Sequence, residues 1–301
     1  MKKIGIIILN YNGEKDTAQC LESIGNTQIT NYKLQIFVVD NGSIQKFKVN
    51  SSEGEIRVIR EDINLGFAAG NNVGIKAALD FGAEFALLLN NDTLVDKNLI
   101  TELVRVAESD SKIGIVVPKI YFAKGFEFHK NRYKKEDLGN VFWYAGGLMD
   151  WKNIIGHHRG VDEVDKGQYK KEEETEIATG CCMLIKKNVF EKIGFLDEKY
   201  FLYYEDSDFS QRAKKSGFTI VYAPKGILWH KNAGSAGGSG SSLQDYYITR
   251  NRLIFGTKYA PLRSKVSLIR ESIRLLINGR KCQKKGVLDF YLRKFGKGNC
   301  E

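Results

Sequence analysis

The sequence predicts an α/β fold with a mostly parallel, mixed sheet flanked by helices and a basic helical extension at the C-terminal end. Strand-like and helix-like segments alternate through the first 118 residues, which is typical of such a sheet. Short polar residues or glycine follow each of the first four predicted strands. The chain has 301 residues with 43% hydrophobic content, which supports a large core and excludes a disordered protein.

The predicted elements of the first half come in regular order. Strands are predicted where apolar runs have strand length, at 3–9, 34–40, 56–60, 85–90 and 113–118. Helices are predicted where apolar residues recur at helical spacing, at 16–25, at 71–82 with Asn71 opening the helix, and after the capping residue Asp96. Parallel strands need long crossover connections, so this alternation favours a mostly parallel sheet.

The second half is less regular. Residues 119–178 are polar and weakly periodic, and their charged runs predict solvated loops. Further strands are predicted at 180–187 and 218–224, and helices at 188–193, 206–217, 243–258 and 261–278. Glycine and serine dominate 232–242, which predicts a flexible loop able to fold over a bound ligand and exclude water.

Basic charge is concentrated near the C-terminus. The net charge is +10, and residues 250–301 alone carry 14 Lys and Arg against 3 Asp and Glu, which leaves the first 249 residues at −1. The helix predicted after Pro261 has its apolar residues on one face: Val266, Ile269, Ile273 and Leu276. This pattern fits an interfacial helix on an anionic membrane surface, and equally a helix packed on the body with a solvated basic face.

No signal peptide and no transmembrane segment are predicted, because the apolar runs are too short. The chain has five cysteines with no CxxC spacing: Cys20, Cys181, Cys182, Cys282 and Cys300. An odd number without a framework pattern predicts reduced thiols and a cytoplasmic protein.

Four successive predicted strands end in polar or glycine-rich segments: "LNYNG", "VDNGS", "REDINLGFAAGNN" and "NNDT". The carboxyl ends of parallel strands share one edge of a sheet, where ligands collect. Turn chemistry explains any one of these segments, but four in a row favour a bound polar ligand. The fingerprints of Rossmann dinucleotide sites and of P-loop nucleotide sites are both missing.

Three further features suggest chemistry. Asp92 offers a carboxylate to Mg²⁺ or Mn²⁺, with a simple turn as the alternative. Glu205, Asp206 and Asp208 follow the aromatic stretch "YFLYY" at a predicted helix start, so they are candidates for a general base, with helix capping as the alternative. His230 ends a strand beside the Gly/Ser loop, which suits a ligand, although a lone histidine is more often structural.

These motifs, in this order, resemble family 2 inverting glycosyltransferases, especially rhamnosyltransferase-like members. The similarity runs over residues 3–255 and includes "IIILNYNG", "VVDNGS", "NLGFAAGNNVGI", "LLLNNDT", "FLYYEDSDFSQRAKKSGF", "LWHKNAGSAGG" and "YYITRN". The resemblance implies a GT-A fold at 1–258, with a nucleotide-binding half at 1–118 and an acceptor half at 119–258. Residues 259–301 then form the basic amphipathic extension.

The resemblance also implies roles for single residues. Asp92 matches the last position of the D-x-D metal motif, whose first position here is Asn90, and His230 matches a metal-ligating histidine of some relatives. Asp206 matches the catalytic base, with Glu205 beside it. The residues expected to bind the nucleotide-sugar are Asn10, Tyr11, Asp40, Asn41, Asn64, Gly66, Gly70, Asn71, Asn91 and Arg250. Among them, the resemblance implies that Asp40 contacts the base or ribose and that Arg250 faces the diphosphate.

The predicted function is inverting transfer of a sugar, with rhamnose among the candidates, in cell-surface polysaccharide synthesis. The donor is a UDP, dTDP or GDP sugar, the cofactor is Mg²⁺ or Mn²⁺, and the acceptor is a hydroxyl of a glycan or a lipid-linked molecule. The protein is expected in the cytoplasm or on the inner face of the cell membrane, without a nucleic-acid partner.

Two other classes of protein stay open. A sugar nucleotidyltransferase would share the sheet and an acid-bound metal, but it usually has a glycine-rich, Arg/Lys-bearing loop after strand one, where this chain has "NYNGEKD". A non-catalytic module that binds sugar or nucleic acid would explain the basic tail but not the acids at 205–208.

Overall fold

A computed structural model describes residues 1–29, 31–48, 56–232 and 241–300. The strands are β1 Lys2–Asn10, β2 Tyr32–Asn41, β3 Ile56–Glu61, β4 Phe85–Asn90, β5 Thr93–Val95, β6 Ile113–Phe122, β7 Phe142–Tyr144, β8 Gly147–Asp150, β9 Ile155–His158, β10 Glu173–Glu174, β11 Cys182–Lys186 and β12 Thr219–His230. The helices are α1 Glu14–Gly25, α2 Gly66–Asp80, α3 Leu99–Ser109, α4 Lys187–Ile193, α5 Glu205–Lys215, α6 Ser242–Tyr259, α7 Leu262–Asn278 and α8 Lys281–Tyr291, with a short 3₁₀ turn at Lys130–Arg132. Most of the predicted Gly/Ser loop, 233–240, lies outside the described residues.

Ten of these strands form one sheet with the order β10-β12-β6-β11-β4-β1-β2-β3, to which β5 and β7 add at the side. Strands β3, β2, β1 and β4 run parallel, β11 runs antiparallel between β4 and β6, and β12 is parallel to β6. This mixed sheet confirms the predicted fold class. In the register, Asn10 lies opposite Asp40 and Leu9 lies opposite Asn90, so three strands end level at one edge.

Helix α2 packs closely against β1 and brings its first turn to that edge. A Cβ atom at Gly5 of β1 would come within 2.3 Å of the Cβ atom of Ala78 in α2, so only glycine permits this approach. The centre of β4 is buried on both faces because strands and helices cover it, which explains its unbroken apolar run.

Two predicted helix starts are wrong. The helix predicted to open at Asn71 begins at Gly66, and Asn71 lies inside it, donating a hydrogen bond to the Phe67 carbonyl (2.9 Å). Gly66 has φ +85°, a conformation that glycine adopts without strain, and its N–H donates to the Asn64 side chain (2.8 Å). Asn98, rather than Asp96, precedes the first residue of α3, while the Asp96 carboxylate accepts the Asn98 N–H (2.9 Å).

The chain ends in three helices, of which α8 was not predicted as a separate element. Cys282 in the first turn of α8 forms a disulfide with Cys300, with 5.6 Å between their Cα atoms. The expectation of reduced thiols is therefore wrong for this pair, because the segment after α8 turns back along the helix. Cys20, Cys181 and Cys182 are free and buried.

No helix in the described parts of the chain is long and apolar enough to span a membrane. Helix α6 ends at Tyr259, close to the predicted boundary at 258. The division into two halves and an extension stays a prediction.

Candidate active site

The level ends of β1 and β2 are tied together by polar side chains. Asn10 is buried, and its amide nitrogen donates to Asp40 and to the Ser43 hydroxyl, both at 3.2 Å. Its amide oxygen accepts from the Gly13 N–H (3.1 Å) and the Thr17 hydroxyl (2.9 Å). Asn10 therefore organises the turn into α1, and the neighbouring Tyr11 remains 39% exposed at the surface of this edge.

Asp40 is completely buried. Its carboxylate accepts from the Phe47 N–H (2.8 Å) and forms an ion pair with Arg60 (2.6 Å). Burial alone would raise the pKa of Asp40, but hydrogen bonds from Ser43, Phe47 and Arg60 outweigh it and hold the pKa below its ordinary value. Its observed contacts are intramolecular, so a contact with a base or ribose stays a prediction.

A second polar cluster joins β2 to the start of α2. The Asn41 amide nitrogen donates to Asn64 Oδ1 (3.1 Å) and to the Gly66 carbonyl (3.2 Å). Gly70 lies beneath this cluster, where a Cβ would come within 2.5 Å of Leu9 Cδ1. Gly70 thus has a packing role, while Asn64 and Gly66 shape the turn at the sheet edge.

Asn91 lies at the other side of β1, where its amide nitrogen donates to the Thr17 hydroxyl (3.0 Å) and the Gly13 carbonyl (3.4 Å). The predicted nucleotide-sugar residues other than Arg250 therefore gather around the ends of β1, β2 and β4 and the start of α2. The ends of parallel strands are where α/β proteins bind nucleotides.

Asp92 and His230 are 138 residues apart in sequence and adjacent in space. His230 ends β12 opposite Thr93 of β5, and its Nε2 atom lies 3.1 Å from Asp92 Oδ1. Two ligands at about 2.1 Å and right angles on one cation lie about 3 Å apart, so this spacing fits a shared divalent ion. The described residues contain no group of three His, Cys, Asp or Glu side chains placed to hold a metal, so further ligands would come from substrate or water.

His230 is nearly buried, and its second nitrogen, Nδ1, is buried without a hydrogen-bond partner. The Trp143 ring packs edge-on against His230 (4.5 Å between centroids) and against His158 (4.3 Å). Burial lowers the pKa of His158 to about 4, so this imidazole is neutral near pH 7. Trp143 thus packs against His230 directly, and His158 contacts Trp143 through its ring and through the Trp143 carbonyl (3.1 Å).

The acids Glu205 and Asp206 begin α5. Asp206 Oδ2 accepts the Gly180 N–H (3.1 Å), and Oδ1 accepts the Ser207 N–H (2.6 Å). Burial raises the pKa of Asp206 although these N–H groups oppose the shift, because protein atoms surround most of the carboxylate even where it reaches a cavity. A carboxylate with a raised pKa is a stronger base, which suits proton abstraction near neutral pH.

Glu205 differs from its neighbour. It is buried, one carboxyl oxygen has no hydrogen-bond partner, and burial followed by the nearby Asp206 raises its pKa well above the ordinary value. The two acids therefore differ: burial favours the protonated form of Glu205, while Asp206 keeps hydrogen bonds that stabilise its charge.

Asp206 opens into a cavity of about 400 Å³. The lining is mostly apolar and aromatic, with a few polar groups; it includes Tyr144, Ile155, His158, Ile177, Tyr203, Tyr204, Ile248 and Arg252. A sugar acceptor presents both apolar faces and hydroxyl groups, which this kind of lining suits. Sequence reasoning missed the cavity because β8, β9 and the loop before α5 assemble it from distant segments.

Two predicted or candidate residues lie away from this chemistry. Asp208 is fully buried and accepts from Arg212, Lys258 and two tyrosine hydroxyls, so it has a structural role. Arg250 was expected to face the diphosphate, but it is completely buried, and its guanidinium donates to the carbonyls of Gly296 (2.8 Å), Lys199 (3.2 Å) and Tyr200 (3.2 Å). The expected placement is wrong because the segment after α8 covers the arginine.

The family model described as Glycosyl transferase family 2 matches residues 5–194, which contain the sheet edge, Asp92 and Gly180. The chain belongs to glycosyltransferase family 2. This membership confirms the predicted family and favours glycosyl transfer over nucleotidyl transfer or a non-catalytic module.

Known proteins agree with the assignment to glycosyltransferase family 2. The chain is 29% identical over 252 residues to the low-salt glycan biosynthesis hexosyltransferase Agl10 of Haloferax volcanii, covering 83% of this chain and 74% of that protein. It is 24% identical over 281 residues to the dTDP-rhamnosyl transferase RfbF of Shigella flexneri, covering 90% and 85%.

The crystal structure of GalNAc-T7 with UDP, GalNAc and Mn²⁺ is similar in fold to this family 2 glycosyltransferase, with a TM-score of 0.65 and 14% sequence identity. The match covers 98% of this chain but only 55% of that one. At this identity the likeness supports the GT-A fold alone.

Several side chains of this glycosyltransferase were not found from the sequence. Arg60, Ser43 and Thr17 contact predicted residues through hydrogen bonds; Arg60 and Ser43 stand in quoted motifs but were not singled out, and Thr17 lies outside them. Lys231 is nearly buried and forms an ion pair with Asp16 (2.7 Å), which ties α1 to the end of β12. The only sequence signal for Lys231 was its position next to His230.

Proposed function

We propose that the protein is a metal-assisted, inverting glycosyltransferase that moves a sugar from a nucleoside-diphosphate donor to an acceptor hydroxyl, with Asp206 as general base. The observation that carries the proposal is the position of Asp206: its carboxylate lies in the 400 Å³ cavity, is oriented by two backbone N–H groups, and has a raised pKa. No other carboxylate among the described lining residues of this cavity has these properties.

In the proposed reaction, Asp206 accepts the proton of the acceptor hydroxyl while that oxygen attacks the anomeric carbon. The bond between the anomeric carbon and the diphosphate oxygen breaks in the same displacement, and the nucleoside diphosphate leaves with the bonding electrons. One displacement inverts the configuration at the anomeric carbon, so no covalent sugar–enzyme intermediate is required.

A divalent cation, Mg²⁺ or Mn²⁺, would be held by Asp92 and His230 and would neutralise charge on the diphosphate. The 3.1 Å separation of their donor atoms supports this pairing, and an aspartate with an imidazole is a suitable oxygen and nitrogen donor set. Asn90, at the first position of the family motif, lies on the same turn, and its carbonyl accepts from Thr93 (2.7 Å).

The donor is proposed to lie along the ends of β1, β2 and β4, near Asn10, Tyr11, Asn41, Asn64 and Gly66. Rhamnose is one candidate sugar, because a dTDP-rhamnosyl transferase is among the relatives. The acceptor is proposed to be a glycan or lipid-linked molecule whose sugar enters the cavity beside Asp206. In the lipid-linked case, the protein would work at the anionic inner face of the cell membrane, with α7 against the surface.

The test of this proposal is turnover of UDP-, GDP- and dTDP-sugars, including slow hydrolysis without acceptor, in Mn²⁺, in Mg²⁺ and in EDTA. We expect one donor class to be consumed only with metal, and the sugar to be released with inverted configuration, which NMR of the product detects. Asp92→Ala should weaken donor binding in Mn²⁺, whereas Asp80→Ala, at an exposed acid of α2, should not.

Three outcomes would contradict the proposal. Retention of configuration would exclude a single displacement. Turnover that EDTA leaves unchanged would exclude a role of Asp92 and His230 in metal binding. Failure to bind or consume any of the nucleotide-sugars would exclude the donor class.

A further inference from the structure

The loop before Glu205 and Asp206 has an unusual backbone. Phe201, Tyr203 and Tyr204 all have positive φ, at 61°, 69° and 71°. Left-handed conformations cost free energy in residues with a Cβ atom, and more so in bulky aromatic ones. Tyr204 immediately precedes α5, so this strained loop sets where Glu205 and Asp206 begin. Surrounding contacts must hold the loop in place.

Asn251 of α6 holds the loop. It is completely buried, and its amide nitrogen lies within hydrogen-bond distance of three loop carbonyls: Tyr200 (2.7 Å), Leu202 (2.7 Å) and Tyr203 (2.9 Å). In a regular helix or strand these three carbonyls would accept backbone N–H groups. Here the single side chain of Asn251 binds them instead. An amide with two N–H groups is suited to this arrangement, since a carboxylate would face three oxygens without a proton to donate.

Arg250 fixes the orientation of that amide. Its Nε–H donates to Asn251 Oδ1 (3.0 Å), and because arginine only donates, the amide nitrogen of Asn251 must point to the loop. The remaining guanidinium N–H groups bind the Lys199 and Tyr200 carbonyls on one side and the Gly296 carbonyl on the other. Arg250 therefore links the loop before α5 to the segment after α8.

The loop also contacts the donor side of the site. The Phe201 carbonyl accepts the Phe67 N–H (2.6 Å), and a Cβ on Gly66 would come within 2.5 Å of the Phe201 ring. On the acceptor side, Tyr203 and Tyr204 line the cavity, and the Tyr204 hydroxyl donates to the Ile154 carbonyl (2.8 Å). One short loop thus connects the first turn of α2, the cavity wall and Asp206.

We infer that Arg250 and Asn251 are positioning residues for the proposed general base: they hold the loop 200–204 in its left-handed form and so fix Asp206 against Gly180 and the cavity. Neither residue touches substrate in this role. The inference rests on the proposed function of Asp206, and it replaces the expected contact of Arg250 with the diphosphate.

The test uses the full-length protein with Asn251→Asp, which keeps the size and the oxygen that faces Arg250 but loses the amide donors. A second variant, Arg250→Lys, keeps the charge but cannot reach all of the carbonyls. The matched control is Thr257→Val, which removes a half-buried hydroxyl of α6 that donates to the Leu253 and Ile254 carbonyls.

We expect both test variants to lower kcat by about 10–100-fold, as small misplacements of a catalytic group do, and to shift the acidic limb of the pH profile of kcat. The KM for the donor and the Kd for UDP, GDP or dTDP with Mn²⁺ should change by less than about threefold. Amide exchange in residues 199–208 should become about tenfold faster. Thr257→Val should change none of these.

A loss of nucleotide affinity with kcat preserved would overturn the inference in favour of a diphosphate contact. Unchanged kcat and unchanged exchange in both variants would overturn it as well. If Asp206→Asn keeps its turnover, the proposed function has failed, while the exchange data still decide whether the loop depends on Asn251.

Wild-type protein gives an answer even if the variants do not fold. In native-state hydrogen exchange with increasing urea, residues 199–206 and the α6 segment 246–252 should open together. If the loop opens at a clearly lower urea concentration than α6, Arg250 and Asn251 do not hold it in place.

Discussion

Glu205 and Asp206 are adjacent in sequence and differ in chemistry. The Asp206 carboxylate accepts two backbone N–H groups, whereas one Glu205 oxygen is buried without a partner. The pattern "YYEDSD" could not separate them, because helix-capping acids and catalytic acids have the same spacing. Backbone positions around each carboxyl group decide the assignment, and these depend on Gly180, which is distant in sequence.

A substitution at Glu205 separates these roles. Burial raises the folded-state pKa of Glu205 above 4.5, so the folded protein holds a proton that the unfolded chain releases. Stability should therefore fall as pH rises from about 4.5 toward that raised pKa. The glutamine of Glu205→Gln is neutral at every pH. The variant should therefore unfold with a higher free energy than wild type at pH 7, and the difference between the two proteins should be smaller near pH 4.5.

Thermal unfolding at several pH values measures this effect, with Glu191→Gln at an exposed acid of α4 as the control. Equal pH dependence in wild type and Glu205→Gln would mean that Glu205 ionises normally. Near-normal turnover by Glu205→Gln is also expected, because the proposed base is Asp206.

The same limit applies to Arg250. The resemblance placed Arg250 in the motif "YYITRN" and implied a role toward the diphosphate. The motif lies in helix α6, as a C-terminal helix was expected to carry it. What the sequence could not supply is the return of residues 294–298 over α6, which buries the guanidinium. By contrast the resemblance assigned Asp92 and His230 to one metal site, and the structure places the two side chains 3.1 Å apart, while the metal itself stays a proposal.

At the level of elements, the strands were predicted more accurately than the helix starts. Buried strands have unbroken apolar runs, so β1, β2 and β4 follow directly from composition. The first turn of α2 has no apolar periodicity, and Asn41 and Asn64 side chains determine where it begins. The antiparallel insertion of β11 and the β5–β12 pairing depend on long-range contacts that periodicity does not encode.

Helix α7 has the properties of an interfacial helix. Only Leu268 and Ser272 of this helix are buried, while Ile273 is 53% exposed and Ile277 is 67% exposed beside the exposed arginines 270 and 274. Exposed apolar residues next to basic ones complement an anionic lipid surface. The salt bridge of Arg252 to Glu271 (2.8 Å) also joins α7 to the wall of the cavity beside Asp206.

We predict that the protein floats with phosphatidylglycerol vesicles and not with phosphatidylcholine vesicles, and that high salt weakens the binding. Each inserted isoleucine contributes about 1–2 kcal/mol, so replacing Ile273 and Ile277 by Ser should lower partitioning by about tenfold or more. Ile44→Ser, at an apolar residue that is 91% exposed in another part of the protein, is the control. Equal flotation of wild type and the double variant would assign α7 to the solvated-helix alternative.

For the whole molecule, the α/β class followed from the alternation of strands and helices, while the family and the GT-A fold were implied by the resemblance of the motifs in their order along the chain. The cavity beside Asp206, the disulfide and the contacts of Arg250 and Asn251 with the loop before α5 were not predicted from the sequence. Each requires segments far apart in sequence to meet, as Cys282 and Cys300 do after α8 turns back.

The residues proposed for donor binding and the residue proposed for base catalysis lie in different parts of the molecule. The residues proposed to bind the donor lie where β1, β2 and β4 end, the Asp92–His230 pair lies at the end of β12, and Asp206 faces the cavity proposed for the acceptor. Because the proposed donor residues and Asp206 are separate side chains, we expect donor binding and base catalysis to be separable by mutation.

The most direct test is therefore Asp206→Asn, which keeps the size of the side chain and removes its basicity. If Asp206 is the general base, this variant should bind UDP, GDP or dTDP with Mn²⁺ like wild type, while sugar transfer falls by about 10²–10⁴-fold. Near-normal turnover of the donor by Asp206→Asn would contradict the assignment of Asp206 as the general base.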